Sequence, residues 1–185
     1  MANKTDNREQ QLVEQLLGRK TTVPFTVKSR CVDGLPQTIM AKPVIFEKNI
    51  YKPFPSFVWL ICPRMSLLVA HLEERGLIRH YTEKLHSDKD FRDEYLAGQK
   101  DFIELRLAKL DEEGHQNLPE YVREVLSNSS VTGSKDFLQV KCLHCHLAQY
   151  LAFGNNPVGR EVYEEIGDCR EGHEKYLKFQ EAKYD

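Results

Sequence analysis

Several things are missing from this chain, and each absence narrows what it can do. The opening residues Met1-Ala2-Asn3-Lys4-Thr5-Asp6 contain no apolar core, so no secretory signal is expected. The most apolar run, 57–72, is divided by Pro63 and Arg64 and falls short of the roughly 20 residues a bilayer span needs. Internal repeats and low-complexity linkers are absent. A phosphate-binding glycine loop, a Gly-x-Ser-x-Gly elbow and a His-Glu-x-x-His helix are lacking, which disfavours the enzyme classes that depend on them. An excess of one charge is lacking too: the net charge is −2 and the pI about 6.4. No global field therefore recommends nucleic acid or an anionic membrane as partner. The expectation is a soluble, cytoplasmic protein with no membrane partner.

What is present fits one core. At 185 residues, 41% hydrophobic and 10% aromatic, the chain is long enough to bury one core and short for two. A single domain over 1–185 is expected, with a helix in 1–18, a small sheet in 19–62, a helical portion in 63–167 and a charged tail in 168–185. Charge is uneven within it. Residues 19–84 carry eleven Lys/Arg against five Asp/Glu, whereas 88–124 carry six against eleven. The first region suits a small anionic ligand; the second reads as a solvated helical face. Five cysteines, an odd number, do not read as a disulfide framework in a reducing compartment. Metal binding, redox chemistry and plain packing remain.

Leu12, Val13, Leu16 and Leu17 recur at helical spacing before Gly18 and predict a first helix over 7–17. Val23, Phe25 and Val27 alternate with other residues, a period of two that predicts a strand running into Ser29-Arg30-Cys31. Val32-Asp33-Gly34-Leu35-Pro36 is turn chemistry. Residues 37–46 resume an extended pattern, with Pro43 marking an edge or a bend; 49–55 read as a loop, and 56–61 as the most buried strand. The fold class is therefore α+β: a small N-terminal antiparallel sheet of about three strands packed with a mainly helical C-terminal portion. Pro63 suits the first position of a helix and makes Cys62 its N-cap. Short helices are expected over 77–85 and after Pro119. Between them a longer helix over about 88–110 turns Phe91, Tyr95, Phe102 and Leu105 inward, with Gly98 admitting a neighbouring helix. Two further helices are expected over 135–153 and after Asn156-Pro157. In the tail, Cys169 and His173 are four apart without another donor nearby, and the pair reads as incidental.

The stretch 139–150 is the densest in ligand chemistry. On a helix, Val140, Leu143, Leu147, Tyr150 and Leu151 share one side, while Cys142, Cys145, His146 and Gln149 share the other. Cys142 can meet Cys145 or His146 at the i,i+3 and i,i+4 separations, and His144 points away. Cys142-Leu143-His144-Cys145 is a CxxC without a second CxxC, so it is no zinc-finger signature. If the three strands form a meander, the first and third run the same way, and Cys31 and Cys62 leave the sheet on one rim, roughly 10 Å apart at the backbone. A helix lying over that rim would bring Cys142 to them.

Five separated blocks resemble the bacterial family called domain of unknown function 501. They are Arg30-Cys31 with Gly34-Leu35-Pro36; Pro53-Phe54-Pro55 leading into Trp59-Leu60-Ile61-Cys62-Pro63; Leu72-Glu73-Glu74-Arg75-Gly76; Val140-Lys141-Cys142-Leu143-His144; and Asn156-Pro157-Val158-Gly159. The resemblance spans 16–166. It implies that Cys31, Cys62, Cys142 and His144 are the favoured site positions, that some relatives carry histidine at the place of Gln149, and that Cys145 is particular to this chain.

The leading expectation is a metal site of Cys31, Cys62 and Cys142 completed by His146 or His144, holding zinc before an iron–sulfur cluster, with a structural, regulatory or hydrolytic role. Packing alone, with no cofactor, is the bland alternative. A second reading makes Cys62 a catalytic thiolate at a helix N-terminus, acting on a phosphorylated or other anionic ligand held by Arg30, Arg64 and Lys141. A third, nucleic-acid binding through the basic region, is disfavoured because Phe54, Phe57 and Trp59 are better read as core.

Overall fold

The structure, a computed structural model, describes residues 7–112, 117–170 and 173–174. Helix α1 (Asn7–Leu17) buries Leu12, Val13 and Leu16 against Phe25, Leu35, Ile39 and Ile61. Five strands follow: β1 (Phe25–Arg30), β2 (Pro36–Ala41), β3 (Val44–Glu47), β4 (Ile50–Pro53) and β5 (Val58–Leu60). Three of them form a sheet in the order β1-β2-β5 with antiparallel pairing on both sides of β2. β1 and β5 therefore run the same way, and their C-terminal ends share one rim. The β1–β2 register slips after Val27 and again after Ser29. An irregularity of this kind twists a strand end and re-aims the chain, here just before Cys31.

The extended pattern of 37–46 is two strands, and the expected loop at 49–55 contains a third. Pro43 has no N–H to extend the ladder, so β2 ends and β3 turns into a separate hairpin with β4. Its two-residue link, Lys48-Asn49, has φ of +51° and +61°, the left-handed pair that matches the twist of flanking strands.

The remaining elements are α2 (Pro63–Glu74), α3 (Leu77–Ser87), α4 (Lys89–Glu112), α5 (Glu120–Ser127), α6 (Leu143–Phe153) and α7 (Pro157–Ile166). The fold is α+β, as expected. Helix α6 is central: it packs on the sheet through β5, β2 and β1 and on helices α2 and α7. Leu143, His146, Leu147, Ala148 and Gln149 are buried, so it is enclosed on more than one face. It begins eight residues later than its periodicity predicts. The Asp136 N–H donates to Ser134 Oγ at 3.2 Å and the Leu138 N–H to Asp136 Oδ1 at 3.0 Å. Such local side-chain acceptors compete with helical bonding. Val140 N–H then takes Thr82 Oγ1 at 3.2 Å. The consequence is chemical: Cys142 is the N-cap of α6 rather than a mid-helix residue.

Helix α4 also departs from the expected solvated face. Leu105 is exposed while Arg106 is fully buried, on the same stripe as Phe102 and Leu110. The Arg106 guanidinium donates to the carbonyls of Pro55 (2.8 Å), Ser129 (2.7 Å) and Leu126. It thereby ties the loop before β5 to the end of α5. Arg106→Ala would leave these carbonyls without a donor, each worth about 1–3 kcal/mol when buried. We expect a loss of about 3–5 kcal/mol in urea unfolding; a loss below about 1 kcal/mol would mean that water replaces the guanidinium. Among the described residues no helix is long and apolar enough to cross a membrane.

Candidate metal centre

Thiols gather at two levels of α2. The first group forms at its N-cap, on the rim shared by β1 and β5. Cys31 leaves β1 into a tight turn in which its N–H donates to Leu35 O (3.0 Å) and Gly34 N–H donates to Cys31 O (2.9 Å). Gly34 is needed there because its φ is +77°. This turn aims the backbone N–H groups of Asp33 and Leu35 at the Cys31 sulfur. Cys62 follows β5, and the first turn of α2 offers it the N–H groups of Arg64 and Met65. Each thiol is thus cradled by two backbone donors, the arrangement that favours an ionised sulfur.

The chain returns to this rim after α7. Cys169 reaches the sulfurs of both Cys31 and Cys62 and accepts from Gln37 Nε2 at 3.3 Å. His173 Nδ1 lies 3.9 Å from Cys31 Sγ and 3.0 Å from Asp33 Oδ2. The donor atoms of Cys31, Cys169 and His173 all lie within 4.8 Å of one another, the span of a shared metal ion. Cys62 is 3% exposed, Cys169 0% and His173 4%. The pair that read as incidental for want of nearby donors therefore joins a group that could hold a metal ion, with Cys31 more than a hundred residues away in sequence.

The electrostatics of these sulfurs are unequal. A hydrogen bond from Cys169 lowers the Cys62 thiol, against burial, with help from the two N–H groups of α2. Donating that bond, together with burial, pushes Cys169 up. Burial also raises Cys31, partly offset by the N–H groups of Asp33 and Leu35. Without a cation only one sulfur of the three gains by ionising. A divalent ion among them is what would let the others follow.

Cys142 does not join this set, nor do His144 and His146. Cys142 pairs instead with His144 and Glu73, whose donor atoms form a second compact group. Glu73 is eleven residues beyond Cys62, about 16 Å along a helix, which is why α6 cannot serve the N-cap end of α2. Cys142 Sγ is 3.8 Å from His144 Nδ1. That nitrogen is 3.2 Å from Glu73 Oε1, while Nε2 is 3.1 Å from Ser66 O. His146 is a core residue: its Nδ1 accepts from Asn156 Nδ2 at 3.1 Å, and burial pulls it down to about 4. Gln149, where relatives were expected to carry histidine, bonds Gly98 O, Gln99 and Asn156.

Arg30 pairs with Glu9 and donates to Gly34 O at 3.1 Å. Lys141 is exposed beside the other thiol group, and Arg64 opens α2. The burial of Cys62 closes it to an incoming substrate. Phe57 is buried against Phe102, and the half-buried Phe54 packs edge-on to Trp59.

A family model described as "Protein of unknown function (DUF501)" matches residues 27–164. The matched region holds Cys31, Cys62, Glu73, Cys142 and His144, and stops short of Cys169 and His173. No curated protein and no solved structure matches the chain.

Proposed function

The chain belongs to the DUF501 family, and we propose that it is a zinc-stapled protein whose ion is held by Cys31, Cys62, Cys169 and His173. The observation that carries this reading is the convergence of Cys31, Cys169 and His173, whose donor atoms lie within 4.8 Å of one another, with Cys62 in hydrogen-bonding contact with Cys169. Three cysteines and one histidine make the closed tetrahedral set of a structural zinc site. An open position for a bound water, which hydrolysis would need, is not supported by four protein donors with Asp33 as a further oxygen beside His173. Gln37, donating to Cys169, and the N–H pairs behind Cys31 and Cys62 supply the outer contacts that orient such ligands. The ion's role is to fasten the segment after α7 to the rim of the sheet.

Metal analysis of untagged protein, purified without chelator or oxygen, tests this. We expect one zinc per chain, lost in Cys62→Ser and Cys169→Ser and retained in Cys142→Ser. A brown chromophore would replace zinc by an iron–sulfur centre. A folded protein without stoichiometric metal, or one that loses its metal in Cys142→Ser alone, would overturn the assignment.

A further inference from the structure

The second thiol group has a different construction, and the metal site does not use it. Cys142 is the N-cap of α6, and Cys145 occupies the third helical position, directly beneath an N-cap side chain. The two sulfurs are in hydrogen-bonding contact, and both are free thiols. Their environments differ. Cys142 is half-buried at the helix start, whereas Cys145 packs against the cluster of Phe57, Val58, Phe102, Val131 and Ala148. His144 stands beside Cys142. Both of its ring nitrogens face acceptors, Glu73 Oε1 and Ser66 O, and only the doubly protonated ring satisfies both. Glu73 is itself fixed by the Leu143 N–H at 2.7 Å. A positive charge is thus held 3.8 Å from Cys142 Sγ, at the positive end of a helix dipole.

We propose that Cys142 and Cys145 are a redox-active dithiol that exchanges with disulfide substrates, with Cys142 the attacking sulfur and Cys145 the resolving one. The Cys142 thiolate attacks one sulfur of the substrate disulfide. A bond forms between Cys142 Sγ and that sulfur, and the other substrate sulfur leaves as a thiolate. Cys145 passes its proton to this thiolate, and its own sulfur attacks Cys142 Sγ. The Cys142–Cys145 disulfide closes, and the second substrate sulfur departs as a thiolate. Two electrons have moved from the chain's dithiol to the substrate disulfide. His144, held by Glu73 and Ser66, is a positioning residue that keeps Cys142 ionised. Consistent with this geometry, contact with Cys145 and His144 lowers the Cys142 thiol, while the Cys145 thiol is raised by its bond to Cys142 and by burial. His144 is pushed up to about 9, chiefly by its contact with Cys142.

The test uses the full reduced chain with its metal, titrated with oxidised glutathione at pH 7, acid-quenched and peptide-mapped. The expected product is the Cys142–Cys145 disulfide, formed before Cys31, Cys62 or Cys169 react and with the metal content unchanged. Cys145→Ser should trap glutathione on Cys142, at a rate about tenfold or more above that of Cys145 in Cys142→Ser. His144→Gln should raise the pH at which Cys142 becomes alkylatable, which a purely structural histidine would not do. The proposal is overturned if Cys142 stays unreactive in the native chain. Preferential trapping on Cys145 overturns it too, as does a second bound metal ion that is lost in Cys142→Ser while the first remains.

Discussion

Gly159→Ala is expected to destabilise the protein by about 3 kcal/mol or more, or to prevent it from folding. A Cβ at this position would lie 2.2 Å from His146 O and 2.6 Å from Tyr150 Cβ. Neither contact is the loose end of a flexible side chain, so α6 and α7 would have to separate. Forced overpacking usually costs about 1–3 kcal/mol, and here separation also pulls on a buried polar chain. Asn156 caps α7 through Gly159 N–H at 2.9 Å and donates to His146 and Gln149. Gln149 joins Gln99, which accepts from Val131 N–H at 2.8 Å. Partly satisfied networks of this kind are worse than apolar ones. Gly98→Ala should behave alike, since its Cβ would meet Asn155 O at 1.8 Å. Unfolding free energies in urea within about 0.5 kcal/mol of the parent for both variants would show that the three helices can part at little cost.

That junction was only half legible in the sequence. Gly98 could be read as a place for close approach because a helix interior tolerates glycine only at a cost. Its partner, the loop between α6 and α7, could not be identified from local pattern. The same division runs through the site. A meander of strands places Cys31 and Cys62 on one rim by topology alone, and the sheet order β1-β2-β5 realises it. Which donors complete the rim depends on the path of the chain after α7. Cys169 and His173 at i and i+4 were the available signal, and their isolation in sequence hid their isolation-free position in space. Conversely, the ligand density of 139–150 drew His146 into the candidate set although its neighbours in the fold are Tyr95 and Asn156. The late start of α6, set by Ser134 and Asp136, decides that Cys142 is an N-cap. Helical periodicity does not register caps of that kind, because Val140 and Leu143 keep the same spacing on either side of the boundary.

Stripping the metal at neutral pH is expected to cost the folded chain about 4 kcal/mol relative to protein with free zinc at a thousandfold excess over its dissociation constant. For a chain of this length that corresponds to a fall of roughly 8–16 °C in Tm. The loss should not be spread evenly. Cys169 and His173 meet Cys31, Asp33 and Gln37 across more than 130 residues of sequence, so the proposed ion would close a long loop, and Asp168, Cys169, Arg170 and His173 should be first to exchange their amide hydrogens once it is gone. α6 and α2 keep their own contacts through Leu143, Leu147, Met65 and Val69 and should exchange slowly in both forms. Cys169→Ser should match the chelated protein in Tm and in exchange pattern, and adding chelator to it should change neither. Cys142→Ser should instead fall with chelator as the parent does. A chelated parent that melts where the loaded one does would remove the ion from the fold's support, even if zinc is found at one per chain.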